Sequence, residues 1–406
     1  MEISTVKLHP GTHKAMGKGH PWVTLDGFSK RFPNDAPFLK AVLPENRLAI
    51  LLNDPRHPQV KARLWDITGH FSIGEFLKDL AGRLDNALLK RARSAYIHER
   101  ENYYLVFGEG DRLPGLFILR LKNLLLIQYY SHFWETYEKR LTSFLGESIS
   151  SYFKEWKTGA CLIQKRNPDR KAAYAKAALS CFTDTPPVEA FTLREFGVNY
   201  QIFLKDTYDV GLYTDMSAFR KRLTPLFESA THVLNLFSYT GAFSLYALKN
   251  GCRRVTSVDL SRKYLSILEE NLRLNENFPG REHVCRCLGV EKAIQLLKKQ
   301  GEKFDLIICD PPSFSSDGDK SASAISRYPF WLDGMKGLCE AGGYLILFLN
   351  THQISMKKFK ETVTSNLLEE FKIVGELGLS EDCSVLPGFP EGKYLKCLTL
   401  QKGRVS

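Results

Sequence analysis

From about residue 186 the chain alternates short apolar runs with amphipathic stretches, and that alternation constrains its fold more than any other feature. Apolar runs at 233–237, 254–258, 304–308 and 343–348 have strand length, while segments at about 242–250, 262–275, 290–300, 327–339 and 356–368 carry a helical period. Strand followed by helix, repeated, builds a doubly wound, mainly parallel sheet. Two further runs close the chain, Phe371-Lys-Ile-Val-Gly-Glu-Leu and Tyr394-Leu-Lys-Cys-Leu-Thr-Leu, with no helix-length pattern between them. The last strand is therefore expected to run antiparallel. The fold class is α/β.

In such a sheet a ligand binds beyond the carboxyl ends of the strands, where backbone N–H groups at a helix N-terminus face it. The first strand runs into Ser238-Tyr-Thr-Gly-Ala-Phe243, and Gly241 lets backbone come close to a ligand there. The second strand ends in Asp259, about 20 residues on. A carboxylate at that place can accept hydrogen bonds from both ribose hydroxyls of an adenosine cofactor. The fourth strand ends in Asp310-Pro-Pro-Ser-Phe314. Pro311 and Pro312 remove two N–H donors and stiffen the turn, so Asp310 and Phe314 form a fixed carboxylate-plus-aromatic clamp suited to a planar base. A dinucleotide-binding dehydrogenase would need Gly-x-Gly-x-x-Gly after its first strand. Only Gly241 is present, which disfavours that reading.

The first half reads differently. Residues 1–70 hold short extended runs broken by Pro, Gly and Asn, the pattern of a small β-rich module. A helix is expected over about 73–95, where Phe76, Leu77, Leu80, Leu84, Leu88 and Leu89 recur at helical steps. Strands at 103–107, 116–120 and 124–129, a helix at about 133–145 and a strand at 160–164 make residues 71–185 a second, mixed α/β domain. The stretch from Lys154 to Lys176 is the most basic of the chain, with Lys154, Lys157, Lys165, Arg166, Arg170, Lys171 and Lys176 against Glu155 and Asp169. Beside it stand Tyr152, Phe153, Trp156 and Tyr174, so it reads either as a solvated face or as part of an RNA-contacting surface.

Composition narrows the partners. Lys and Arg number 56 against 45 Asp and Glu, a formal charge of +11 that attracts polyanions. The start lacks the pattern of a secretory signal, and no apolar run approaches the ~18–20 residues of a membrane span. The nine cysteines include no metal-like Cys-x-x-Cys pair, so no metal is expected and they read as reduced, buried side chains. A cytoplasmic location is expected. Oligomeric state stays open, a homodimer included.

An ordered set of motifs resembles one family, the bacterial 23S rRNA large-subunit methyltransferase I family, over nearly the whole chain. The set is Gly19-His-Pro-Trp-Val23, Gly108-Glu-Gly-Asp-Arg-Leu-Pro-Gly115, Gly211-Leu-Tyr-Thr-Asp-Met216, Arg220, Asn235-Leu-Phe-Ser-Tyr-Thr-Gly-Ala-Phe243, Asp259, Asp310-Pro-Pro-Ser-Phe314 and Pro390-Glu-Gly392. The resemblance implies a PUA-like RNA-binding domain over 1–70, the mixed middle domain over 71–185 and a Rossmann-like, seven-stranded methyltransferase domain over 186–406. It also implies S-adenosylmethionine as cofactor, ribosomal RNA as partner, and cofactor contacts from Tyr213, Asp215, Asn235, Phe237, Ser238, Thr240, Gly241, Asp259, Leu260 and Asp310.

Two departures alter the expected chemistry. The acid that contacts adenine after the third strand in the family is absent, since Arg286-Cys-Leu-Gly-Val290 stands there. The family's catalytic cysteine follows the fifth strand, where this chain has Asn350. Methylation of cytosine C5 needs a thiolate to add at C6, which an amide cannot do; Cys309 lies inside a strand and is a poor substitute. Guanine N7 exposes a lone pair and needs only alignment, and the guanine-N7 methyltransferases of 23S rRNA resemble this chain in having asparagine at that position. Methylation of guanine N7 is therefore preferred, with Phe314 stacking on the base, Asp310 accepting a base N–H and Asn350 donating to O6. Two alternatives remain, a 5-methylcytosine enzyme and an inactive RNA-binding assembly protein. A small-molecule or protein methyltransferase would leave the basic first half without a task.

Overall fold

The computed structural model describes residues 3–68, 70–156, 160–165, 174–177, 190–204, 210–312, 324–367 and 369–403. They form two compact units, Met1–Val188 with Glu381–Gly392, and Glu189–Ser380 with Lys393–Ser406.

The second unit holds the sheet that the alternation predicts. Its strands are β1 (His232–Leu236), β2 (Arg254–Asp259), β3 (Glu282–Cys287), β4 (Phe304–Cys309), β5 (Cys339–Asn350), β6 (Phe371–Leu377) and β7 (Leu395–Lys402), in the spatial order β3-β2-β1-β4-β5-β7-β6. Helices α1 (Ala242–Lys249), α2 (Arg262–Leu274), α3 (Val290–Lys299), α4 (Ala324–Leu338) and α5 (Met356–Leu367) connect them. Strands β1 to β5 pair in parallel, and β7 lies antiparallel to both β5 and β6. The reversal of order between β1 and β4 opens a crevice at their carboxyl ends, where ligands bind in open α/β sheets. One face packs Leu234, Leu236, Ile307, Leu345 and Leu347 against Ile294 and Leu297 of α3 and Trp331, Leu332 and Met335 of α4.

The first unit contains two five-stranded sheets. One comprises Ser4–Thr5, Trp22–Thr24, Phe38–Val42, Leu48–Asn53 and Val60–Ile67; the other comprises Asn102–Phe107, Leu116–Leu121, Leu124–Tyr129, Ala160–Lys165 and Tyr174–Ala177. Helices Ile73–Ala92 and Phe133–Tyr152 bury Phe76, Leu80, Leu84, Leu88, Trp134, Leu141 and Leu145 in one core with Phe38, Ile50, Leu52, Ile118 and Ile127 of the sheets. The helix Ile73–Ala92 starts where Ser72 accepts a hydrogen bond from the Glu75 N–H (3.1 Å), which caps its N-terminus. The short helix Pro10–Gly17 was not anticipated from the β-rich pattern.

Segment Glu381–Gly392, although it joins β6 to β7, belongs to the first unit. Asp382 pairs with the buried Arg100 at 2.9 Å, and its carbonyl accepts from Arg91 at 2.8 Å. Arg91 in turn forms a two-pronged pair with Asp111, both contacts at 2.6 Å. Phe389 packs edge-on against Trp22, and Glu391 pairs with His20 at 3.0 Å. The fit is close enough that a Cβ on Gly110 would lie 1.8 Å from the Ser384 carbonyl. Among the described residues no helix is long and apolar enough to cross a membrane.

Candidate active site

A cavity of about 600 Å³ opens at the carboxyl ends of β1, β2, β4 and β5, within the size range of small-ligand pockets. Tyr213, Asp215, Asn235, Phe237, Ser238, Thr240, Asp259, Leu260, Asp310, Pro311, Pro312 and Asn350 all line it. Phe314 lies outside the described residues, as do Lys157, Arg166, Arg170 and Lys171 of the basic stretch.

The turn after β1 is held in a costly shape. Phe237 and Tyr239 adopt φ of 58° and 51°, in the left-handed region that side-chain-bearing residues avoid. Fixed hydrogen bonds maintain it. The Ser238 N–H donates to the Val258 carbonyl at 2.9 Å, and the Thr240 hydroxyl donates to the Gly211 carbonyl at 2.7 Å. Asn271 of α2 donates to the Thr240 carbonyl at 3.2 Å. Gly241 is not itself part of the cavity wall. Its φ of 86° and the 2.4 Å that would separate an added Cβ from Leu268 require glycine for the turn and for packing against α2.

Asp259 joins this turn to α2. One carboxylate oxygen accepts the Tyr239 N–H at 2.9 Å, and the other accepts the Ser261 N–H at 2.8 Å. Burial pushes its pKa up, while these backbone N–H groups and that of Leu260 pull it down. Each oxygen keeps a lone pair, enough for two vicinal hydroxyls. Nearby, the Ser238 hydroxyl is buried on the cavity wall with no hydrogen-bond partner among the described residues. A buried orphan of that kind calls for a ligand, and these donors and acceptors suit a ribose-bearing cofactor.

Toward β4 the site turns acidic. Asp310 is pushed up to about 7, first by burial and then by the charge of Asp215, with Arg220 pulling the other way. Arg220 is fully buried and holds Glu195 through Nε at 2.7 Å and a second nitrogen at 3.1 Å, while donating to the Tyr213 carbonyl at 3.2 Å. That bond fixes the backbone from which Tyr213 and Asp215 project. Asn350 ends β5, paired in register with Leu395 of β7. Cys309 and Cys397 are wholly buried, and burial drives both thiols far above their usual range. Burial thus disfavours the thiolate form of both.

The cavity also includes Glu291 of α3 and Arg327 and Trp331 of α4, which the sequence patterns did not single out. Glu291 Oε1 accepts the Trp331 indole N–H at 3.0 Å and lies 3.7 Å from Arg327. No local signal marks these three; the packing of α3 on α4 brings them together.

A family model for S-adenosylmethionine-dependent methyltransferases matches residues 160–376, more than half of the chain. The chain belongs to that family. It is an enzyme that uses S-adenosylmethionine. Similar proteins include the ribosomal RNA large subunit methyltransferase I of Cronobacter sakazakii, 27% identical over 396 residues, which cover 96% of this chain and 97% of that one. YwbD of Bacillus subtilis is 29% identical over 329 residues, 79% of either chain. The crystal structure of SMU.776 complexed with SAH superposes with a TM-score of 0.81 at 18% identity, covering 98% of this chain and 100% of the other, which shows a shared fold.

Proposed function

We propose that this enzyme methylates a base of large-subunit ribosomal RNA, at N7 of guanine. Relatives named ribosomal RNA large subunit methyltransferase I match over nearly their full lengths, and the charge of +11 favours a polyanionic substrate. In this reading residues 1–70 form a PUA-like RNA-binding domain, 71–185 a middle domain and 186–406 the catalytic domain. Tyr213, Asp215, Asn235, Phe237, Ser238, Thr240, Asp259, Leu260 and Asp310 hold the cofactor, with Gly241 shaping their turn. When bound, S-adenosylmethionine supplies a methyl group activated by its sulfonium charge.

The observation that carries the choice of atom is Asn350 at the tip of β5, with the neighbouring thiols of Cys309 and Cys397 sealed in the core. Guanine N7 already presents a lone pair, so the protein has only to align and neutralise. Asp310 as a carboxylate accepts a base N–H and offsets the positive charge that the alkylated ring acquires. Asn350 donates its amide N–H to O6, Pro311 and Pro312 stiffen the support, and Phe314 stacks on the base. Incubation with unmodified ribosomal RNA and labelled cofactor, followed by digestion to nucleosides, is expected to yield 7-methylguanosine. Recovery of 5-methylcytidine would overturn the assignment.

A further inference from the structure

We propose that Glu291 reads the 6-amino group of the cofactor's adenine, taking over from the end of β3; the inference rests on the adenosyl-cofactor reading of the cavity. The strand order β3-β2-β1-β4 sets the direction of the ligand. Its reacting end lies by Asp310 and Asn350, and its ribose hydroxyls meet Asp259 at the tip of β2. The base, on the far side of the ribose, then falls toward β3 and the start of α3. There the wall comprises Leu260, Gly289, Val290 and Glu291.

Gly289 leaves room at this end. Its φ is an ordinary −61°, and a Cβ built on it meets nothing within 4 Å. Glu291 fills the chemical role instead. Its Oε1 is occupied by Trp331 and neighboured by Arg327, whereas Oε2 receives no hydrogen bond from any described residue. An acceptor-only carboxylate with one engaged oxygen matches the donor edge of adenine. The first N–H groups of α3, which have no partner within the helix, are available to the ring nitrogen beside the amino group. A 6-oxo base would set its carbonyl lone pairs against the carboxylate.

Calorimetric titration of the full-length protein with S-adenosylhomocysteine and with S-inosylhomocysteine, its 6-oxo counterpart, tests this. The wild type is expected to prefer the adenosyl ligand by about tenfold or more. In Glu291→Gln the Trp331 indole, which can only donate, holds the amide carbonyl and turns the NH2 toward the base, so the preference shifts toward the inosyl ligand. The double variant Glu291→Ala with Gly289→Asp returns a carboxylate from the open neighbouring position and restores the adenosyl preference. Wild-type selectivity in Glu291→Gln overturns the assignment. Asp259→Ala is expected to weaken both ligands alike. If it does so while Glu291→Gln is unchanged, the Glu291 role alone falls; if Asp259→Ala changes neither affinity, the cofactor reading falls with it.

Discussion

Tyr394 donates its phenolic hydrogen to Asp215 across 2.5 Å, and Asp215 is the charged group that most opposes ionisation of Asp310. The residue immediately before β7 thus holds in place the carboxylate that sets the behaviour of the proposed base-binding acid.

Activity should therefore depend on pH through Asp310. It must be ionised to accept a base N–H, and its pKa stands at about 7, so the rate rises with pH across that value. Asp215→Asn removes the like charge and moves the midpoint of a single-turnover pH–rate profile below 7. Asp310→Ala abolishes methyl transfer while leaving the circular-dichroism spectrum intact. The stability effect has the opposite sense. A carboxyl whose folded pKa lies above its ordinary 3.8 contributes stability below that value and loses it as pH rises through about 7. Asp310→Asn should accordingly raise Tm relative to wild type at pH 8 and not at pH 4.

The thiols should be dispensable. Cys309→Ala leaves methyl transfer by the folded protein within about twofold of wild type, at a cost of about 1–2 kcal/mol from the small cavity left in the core. An inactive yet folded variant would point to thiolate addition and so to a pyrimidine substrate.

Much of this was legible in local sequence, and the reasons are specific. Strand and helix periods and the acid ending β2 are each written within a few consecutive residues. The place of Asn350 followed from its strand. Glu291, Arg327 and Trp331 converge only through the packing of α3 on α4, and no short-range pattern records that. Gly241 was read as an opening toward the ligand; its φ of 86° and its crowding by Leu268 depend on α2, 27 residues further on.

Gly241→Ala should be among the most damaging single changes. The left-handed backbone and the 2.4 Å clash with Leu268 together cost about 2–4 kcal/mol, readable as a lower midpoint in urea. Binding of S-adenosylhomocysteine weakens in parallel, since the same turn carries Ser238 and the N–H that steadies Asp259. Unchanged stability would show that α2 can retreat.

Asp382→Ala tests the segment Glu381–Gly392. Removing one partner from a buried ion pair costs about 3–5 kcal/mol, because Arg100 keeps its charge and loses its counter-ion. The loss should appear in the transition of the first unit, followed by the fluorescence of Trp22 and Trp65.

The same segment has a consequence for the order in which the protein is made. Arg91 and Arg100 are synthesised early, but Asp382, which receives hydrogen bonds from both, leaves the ribosome nearly 300 residues later. Until then Arg100 lacks the carboxylate it pairs with in the folded unit, and the Ser384 backbone that packs against Gly110 is missing. The first unit therefore completes its packing only after Glu381–Gly392 has been made, and a chain that stops before this segment leaves Arg100 without the carboxylate it pairs with.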